Sequence, residues 1–331
     1  MRNTTLVIIL ALVVLAGAVF LVLKYPMSTE RVQEIKELIE GPPPAVEITT
    51  DYEGAKVDPV KLLRGCRAKD CIPSIDDPGF ETAAQADEWL KAEDKVFGLI
   101  FNGVEKAYPQ RILNWHEIVN DTVAGEPVGV SFCPLTGTPM AFVRRVNGQT
   151  AGFGVSGYLL NSNFIFYDRL EGNLWQQSSL QAIVGPAARR EEVLVWLDLT
   201  TTDWDSWKNE HPNTEVLARP LDAKRDYDRY PYDSYEENSE VRFGAVHSDR
   251  RLHPKDVVYG VVVNDEAKAY PLTELKLQPN FADVVGQTAV IISLGADGTV
   301  KVTNQLTSEV YRVARSFWFA WVAFHPGTSL Y

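Results

Sequence analysis

Positive charge is scarce: 32 Lys and Arg stand against 44 Asp and Glu, a net charge of -12 over 331 residues. Nucleic-acid binding needs clustered basic side chains to meet phosphates, so this balance argues against DNA or RNA as a partner. Low-complexity sequence is also missing. The 22 Gly and 19 Pro are spread rather than repetitive, and 8 Trp, 13 Tyr and 14 Phe are more than a disordered chain would carry. Long apolar runs are absent beyond residue 23, the stretch Phe317–Phe324 being too short to cross a membrane. Cysteine is nearly absent, with three in the whole chain. What remains is a globular body of one large or two ordinary domains.

The one long apolar run, Thr4–Leu23, carries no charge. At ~1.5 Å rise per residue it is long enough for a hydrocarbon core of roughly 30 Å. A cleavable signal peptide has a shorter apolar region followed by small residues, whereas Ala16-Gly17-Ala18 lies inside the run. The expectation is therefore an uncleaved single-pass helix over residues 1–26, with membrane lipid as its partner. Charge bias across it is slight, Arg2 preceding and Lys24, Arg31 and Lys36 following. Residues 27–50 read as a stalk helix over Ser28–Glu40 and a stiff spacer from Pro42-Pro43-Pro44.

The body repeats itself. Gly98–Pro109 aligns with Gly260–Pro271 without a gap, and six of the twelve positions are identical. Downstream, Trp204, Trp207, His211, Pro212 and Thr214 recur at the same spacing as Trp318, Trp321, His325, Pro326 and Thr328. We read a tandem duplication: a first unit over 51–225, a Tyr- and acid-rich connector over 226–240, and a shorter second unit over 241–331. Each unit opens with a hairpin, Val96–Phe101 and Val104–Tyr108 around Asn102-Gly103 in the first, with Asn264-Asp265 at the second turn. A helix is expected over Pro109–Val119, strands over Val128–Phe132, Met140–Val146, Gly152–Val155 and Asn163–Tyr167, and a capped helix over Asp203–His211. The fold class expected is α+β, strand-rich and duplicated, preceded by the transmembrane helix. Recurrence of the Trp and His pattern favours a structural role for His211 and His325.

Residues peculiar to the first unit are the candidates for chemistry. On a helix His116 and Asn120 share a face, as do Glu117 and Asp121, so all four can converge on one pocket. The second unit has neither His nor Glu at the matching helix and no Cys at the matching strand. Cys133 ends a strand before Pro134 and Gly137, where a thiol can serve as nucleophile, redox centre or metal ligand if a neighbour such as His116 lowers its pKa. A lone Cys in a strand is more often just a small buried hydrophobe. Cys66 and Cys71 are close enough in sequence to pair in an oxidising compartment, which leaves Cys133 as the odd thiol. Cys133, His116 and Met140 together offer a thiolate, an imidazole and a thioether, a donor set for copper or another transition-metal ion. The connector Asp226–Glu237 places four Tyr among acids, as a lid or cation-binding loop or as a cover over an edge of the body.

The motifs Ala107-Tyr108-Pro109, His116–Asp121, Phe132–Gly137, Gly154–Gly157, Asn161–Asn163, Tyr167-Asp168-Arg169 and Leu174–Gln177 together resemble the bacterial and archaeal family known as domain of unknown function 3179. Cys71–Asp76 fits its start, and the resemblance covers roughly residues 57–330. It implies an exported or membrane-anchored protein with its body on the extracytoplasmic side. It brings no established activity, although a second cysteine in many relatives, where this chain has Thr136, implies redox chemistry in those. Two functions then compete. One is an extracytoplasmic enzyme or metal–thiol redox centre, with Cys133 as thiolate, His116 as base or co-ligand, and Asn120, Asp168 and Gln177 orienting a small-molecule substrate. The other is a non-catalytic ligand-binding or envelope module whose polar residues brace loops.

Overall fold

A computed structural model describes residues 48–49, 51–220 and 225–331. Strand formation follows the alternating apolar pattern. The hairpin Lys95–Phe101 and Val104–Pro109 closes through Asn102 and Gly103, both at positive φ, and the hairpin Val257–Val263 and Glu266–Pro271 closes in the same way through Asn264 and Asp265. Asn, Asp and Gly tolerate that backbone at small cost, which is why the two turns can use different residues.

Each hairpin sits at the centre of a sheet of the same plan. In the first half the order is Thr200–Asp203, Lys95–Phe101, Val104–Pro109, Glu215–Leu217, with Phe80–Thr82 added at the edge. In the second it is Val313–Phe317, Val257–Val263, Glu266–Pro271, Ser329–Leu330. In both, the strand after the Trp helix returns parallel to the second hairpin strand. The helices Trp204–Glu210 and Trp318–Phe324 pack on these sheets through a contact only glycine permits. A Cβ on Gly98 would lie 2.1 Å from the Trp207 ring, and one on Gly260 2.3 Å from Trp321. His211 and His325 lie against those same indoles, with ring centroids 4.0 and 3.9 Å apart, and each indole N–H donates to the threonine of its motif, Thr214 or Thr328. This accounts for the repeated motif as packing.

A second sheet also recurs. Ile118–Val123, Glu126–Cys133, Thr138–Val143 and Trp196–Leu197 are answered in the second half by Asn280–Val285, Thr288–Leu294, Val300–Asn304 and Val310–Tyr311. The first half alone adds a further sheet, Leu63–Arg64, Phe153–Leu160, Asn163–Asp168, Leu174–Gln176 and Gln181–Val184. Its inner face, with Phe153, Phe166 and Trp175, packs on Phe142 to form the largest aromatic cluster.

The expected α+β class with a leading transmembrane helix is corrected. The α-helices of the described residues are only four to seven residues long and serve as connectors between strands. None of them is long and apolar enough to cross a membrane. The expected anchor over 1–26 and the stalk helix lie outside the described residues. A second correction concerns the helix expected over Pro109–Val119, which covers only Gln110–His116. Glu117 turns left-handed at φ 57°, and Ile118–Val123 then runs as a strand.

Candidate functional site

Because the helix stops at His116, the i, i+4 convergence expected of His116 with Asn120 and Glu117 with Asp121 does not form. Strand alternation points Asn120 and Asp121 to opposite faces. Asn120 reaches toward the first-half sheet: its amide nitrogen donates to the Asp76 carboxylate and the Phe153 carbonyl, and its oxygen accepts from Phe153 N–H, all within 2.8 Å. Asp121 accepts from Lys106 Nζ at 2.9 Å and from the Tyr108 hydroxyl at 2.6 Å. That triad is not peculiar to the first half. Lys268 and Tyr270 make the same contacts to Asp283.

The remaining candidates are also tied into the fold. One Asp168 oxygen caps the turn formed by Leu170, Glu171 and Gly172 N–H, and the other accepts from the Asn173 amide and the Trp175 indole. Gln177 accepts from Asn163 and donates to Ser131 Oγ and the Thr138 carbonyl. His116 Nδ1 donates to the Pro73 carbonyl at 2.8 Å, and Nε2 pairs with the Tyr227 hydroxyl at 2.7 Å.

Cys133 is fully buried at the end of Glu126–Cys133, and its Sγ donates to the Ser162 carbonyl at 3.7 Å. Burial, with a smaller contribution from Glu117, pushes the thiol up to about 11. An acid, Glu117, is thus among the groups that act on the sulfur. Glu117 is itself buried, and among the described residues it forms no salt bridge. The Tyr232 hydroxyl donates to its Oε1 at 3.3 Å, and burial lifts its carboxyl to about 8.

The connector supplies the roof. Tyr227 pairs with His116, Tyr232 with Glu117, and the Tyr235 hydroxyl donates to the Leu135 carbonyl. Glu236 accepts from both Gln110 and Tyr230. Lys255, from the second half, fastens the far end by donating to the carbonyls of Tyr235 and Glu240 while its ammonium lies 3.2 Å over the Tyr235 ring. Sequence reasoning named the tyrosines without placing them. Nothing local in the chain says which strand end a connector will cross.

Met140 is buried in the same apolar cluster as Cys133, and its sulfur faces Arg312 at 3.9 Å. Among the described residues no group of three or more His, Cys, Asp or Glu is arranged to hold a metal ion. The copper expectation gains no support. Cys66 and Cys71 are joined as a disulfide.

A strand-built body with a buried thiol and acid, roofed by a tyrosine connector, is the class of protein that the geometry defines. The family described as protein of unknown function DUF3179 matches over residues 69–312, and the chain belongs to it. No curated protein and no solved structure matches.

Proposed function

We propose that the body is a ligand-binding module in which Cys133 braces the fold and does not react. The observation that carries this reading is the state of the thiol. Reactive cysteines are partly exposed and lowered by cations, whereas Cys133 is closed off and raised to about 11 beside an acid. The side chains that were to orient a substrate, Asn120, Asp168 and Gln177, spend their hydrogen bonds inside the protein, as bracing residues do. The Cys66–Cys71 disulfide supports an oxidising, extracytoplasmic setting for it.

The test is alkylation of the native chain with iodoacetamide near pH 8, read by mass spectrometry. Cys133 stays unmodified in native buffer and is labelled fully in guanidinium. Rapid labelling of folded protein would overturn the reading.

One observation favours a redox thiol instead. Glu117, with its carboxyl near 8, is poised to exchange a proton with the sulfur if the tyrosine roof opens. On that reading Tyr232→Phe makes Cys133 labelling fast in native protein, and Glu117→Gln slows it again.

A further inference from the structure

A cavity of about 440 Å³ lies between the second-half elements Val313–Phe317 and Trp318–Phe324 and the first-half turn at Ser178 and Ser179. Its size falls in the range of small-molecule sites, roughly 300–1,000 Å³. Val262, Trp321 and Phe324 make its wall largely apolar. In a chain of net charge -12, no Asp or Glu lines it, and two arginines, Arg312 and Arg315, do.

Among the described residues those arginines lack a carboxylate partner, as do the more deeply buried Arg144 and Lys255, which also donate to backbone carbonyls. Lys106 is paired with Asp121 and Arg111 with Asp94. Arg312 donates instead to the Ser178 and Ser179 carbonyls, and Arg315 to the Gly137 carbonyl. A carbonyl satisfies an N–H but leaves the charge uncancelled, and buried charges are ordinarily paired. Among the described residues neither guanidinium forms an ion pair. Arg312 is lowered to about 10 by burial alone and so stays protonated at neutral pH. A second, independent observation points into the same space. Ser316 lines the cavity, is 5% exposed, and its hydroxyl has no hydrogen-bond partner.

We propose that this cavity binds a small organic carboxylate, its carboxyl held by Arg312, Arg315 and Ser316 and its apolar part lying against Trp321 and Phe324. A guanidinium fork suits a planar carboxylate, which supplies the missing countercharge and an acceptor for the serine hydroxyl. The assignment rests on the binding-module reading and adds the ligand class to it.

Isothermal titration of the full chain with octanoate and with neutral octanamide tests it. Octanoate binds, and octanamide binds at least roughly tenfold more weakly because it lacks the charge. Arg312→Gln weakens octanoate by a similar factor and removes the preference, and Arg315→Gln does the same should the first variant fail to fold. Val262 is 43% exposed, so Val262→Trp narrows the cavity without disturbing the core and abolishes both titrations. Equal affinity for the two probes, or no heat from octanoate up to about 10 mM, overturns the proposal. So does a lowered melting temperature in the arginine variants with octanoate affinity unchanged, which would make them clamps between the halves. Failure here leaves the Cys133 alkylation result standing, and rapid alkylation would sink the binding-module reading without altering the octanoate outcome.

Discussion

Glu117 carries two costs at one position. Left-handed helix ends are ordinarily closed by Gly or Asn, so a glutamate at φ 57° is a strained choice. The strain is held by backbone bonds on both sides, Glu117 N–H to the Leu113 carbonyl at 2.8 Å and Phe132 N–H to the Glu117 carbonyl at 2.9 Å. Its carboxyl is then buried and raised from 4.5 to about 8. Folded protein therefore binds a proton on Glu117 that the unfolded chain releases above about pH 4.5, so the stability contributed by this residue is fully present below that pH and is lost as pH rises through 8. Glu117→Gln removes the titration while keeping the backbone. The variant should match the parent near pH 4 and exceed it at pH 9 by on the order of a few kcal/mol, measured by urea denaturation across that range. Parallel stability curves for the two proteins would show that the carboxyl is ionised in the fold. The sequence marked Glu117 as a candidate, but its conformation was hidden, because neither Gly nor Pro signals the helix end there.

At the scale of elements, the duplication is best seen in what both hairpins carry. Lys-Ala-Tyr-Pro ends each, and an aspartate thirteen residues after each tyrosine completes a Lys–Asp–Tyr triad. Comparing the units sets Asp121 aside as a residue of the first alone, yet Asp283 is its counterpart; counting forward from the shared tyrosine reveals it. The two triads differ in depth. Side chains of Lys106 and Asp121 are 6% and 5% exposed, those of Lys268 and Asp283 14% and 17%. Removing one partner of a buried pair strands the other charge, so Asp121→Asn should cost about 3–5 kcal/mol. Asp283→Asn should cost clearly less because water screens Lys268. Equilibrium unfolding of the two variants checks the order, and a larger loss at Asp283 would contradict it.

At the scale of the molecule, the halves are tied by groups that belong to neither hairpin. Phe317 N–H donates to the Thr136 carbonyl at 2.8 Å, the Phe317 ring lies against Gly137, and Ser162 Oγ donates to the carbonyls of Arg242 and Gly244. With the Lys255 anchor on the connector, these ties should make the body unfold in one calorimetric transition. Phe317 is 4% exposed, so Phe317→Ala should destabilise by roughly 3–5 kcal/mol and lower that single transition as a whole. Two resolved transitions in the parent protein would mean that the halves are independent.

Short-range physics was decided along the chain itself. Turn residues with positive φ, alternation in the hairpins, the Asp203 cap and the glycine facing each tryptophan are local or repeat at constant spacing, so the sequence alone determined the hairpins, the Trp helices and the family to which they belong. Tertiary structure decided the rest. A helix stopped by a left-handed glutamate carries no local signal, and a connector of tyrosines laid over Cys133 and Glu117 and two arginines left without carboxylates in one cavity depend on residues more than a hundred positions apart. The energy of a buried acid, thiol or guanidinium is set by what surrounds it in space, and a linear sequence carries no record of that until the sheets have closed around it.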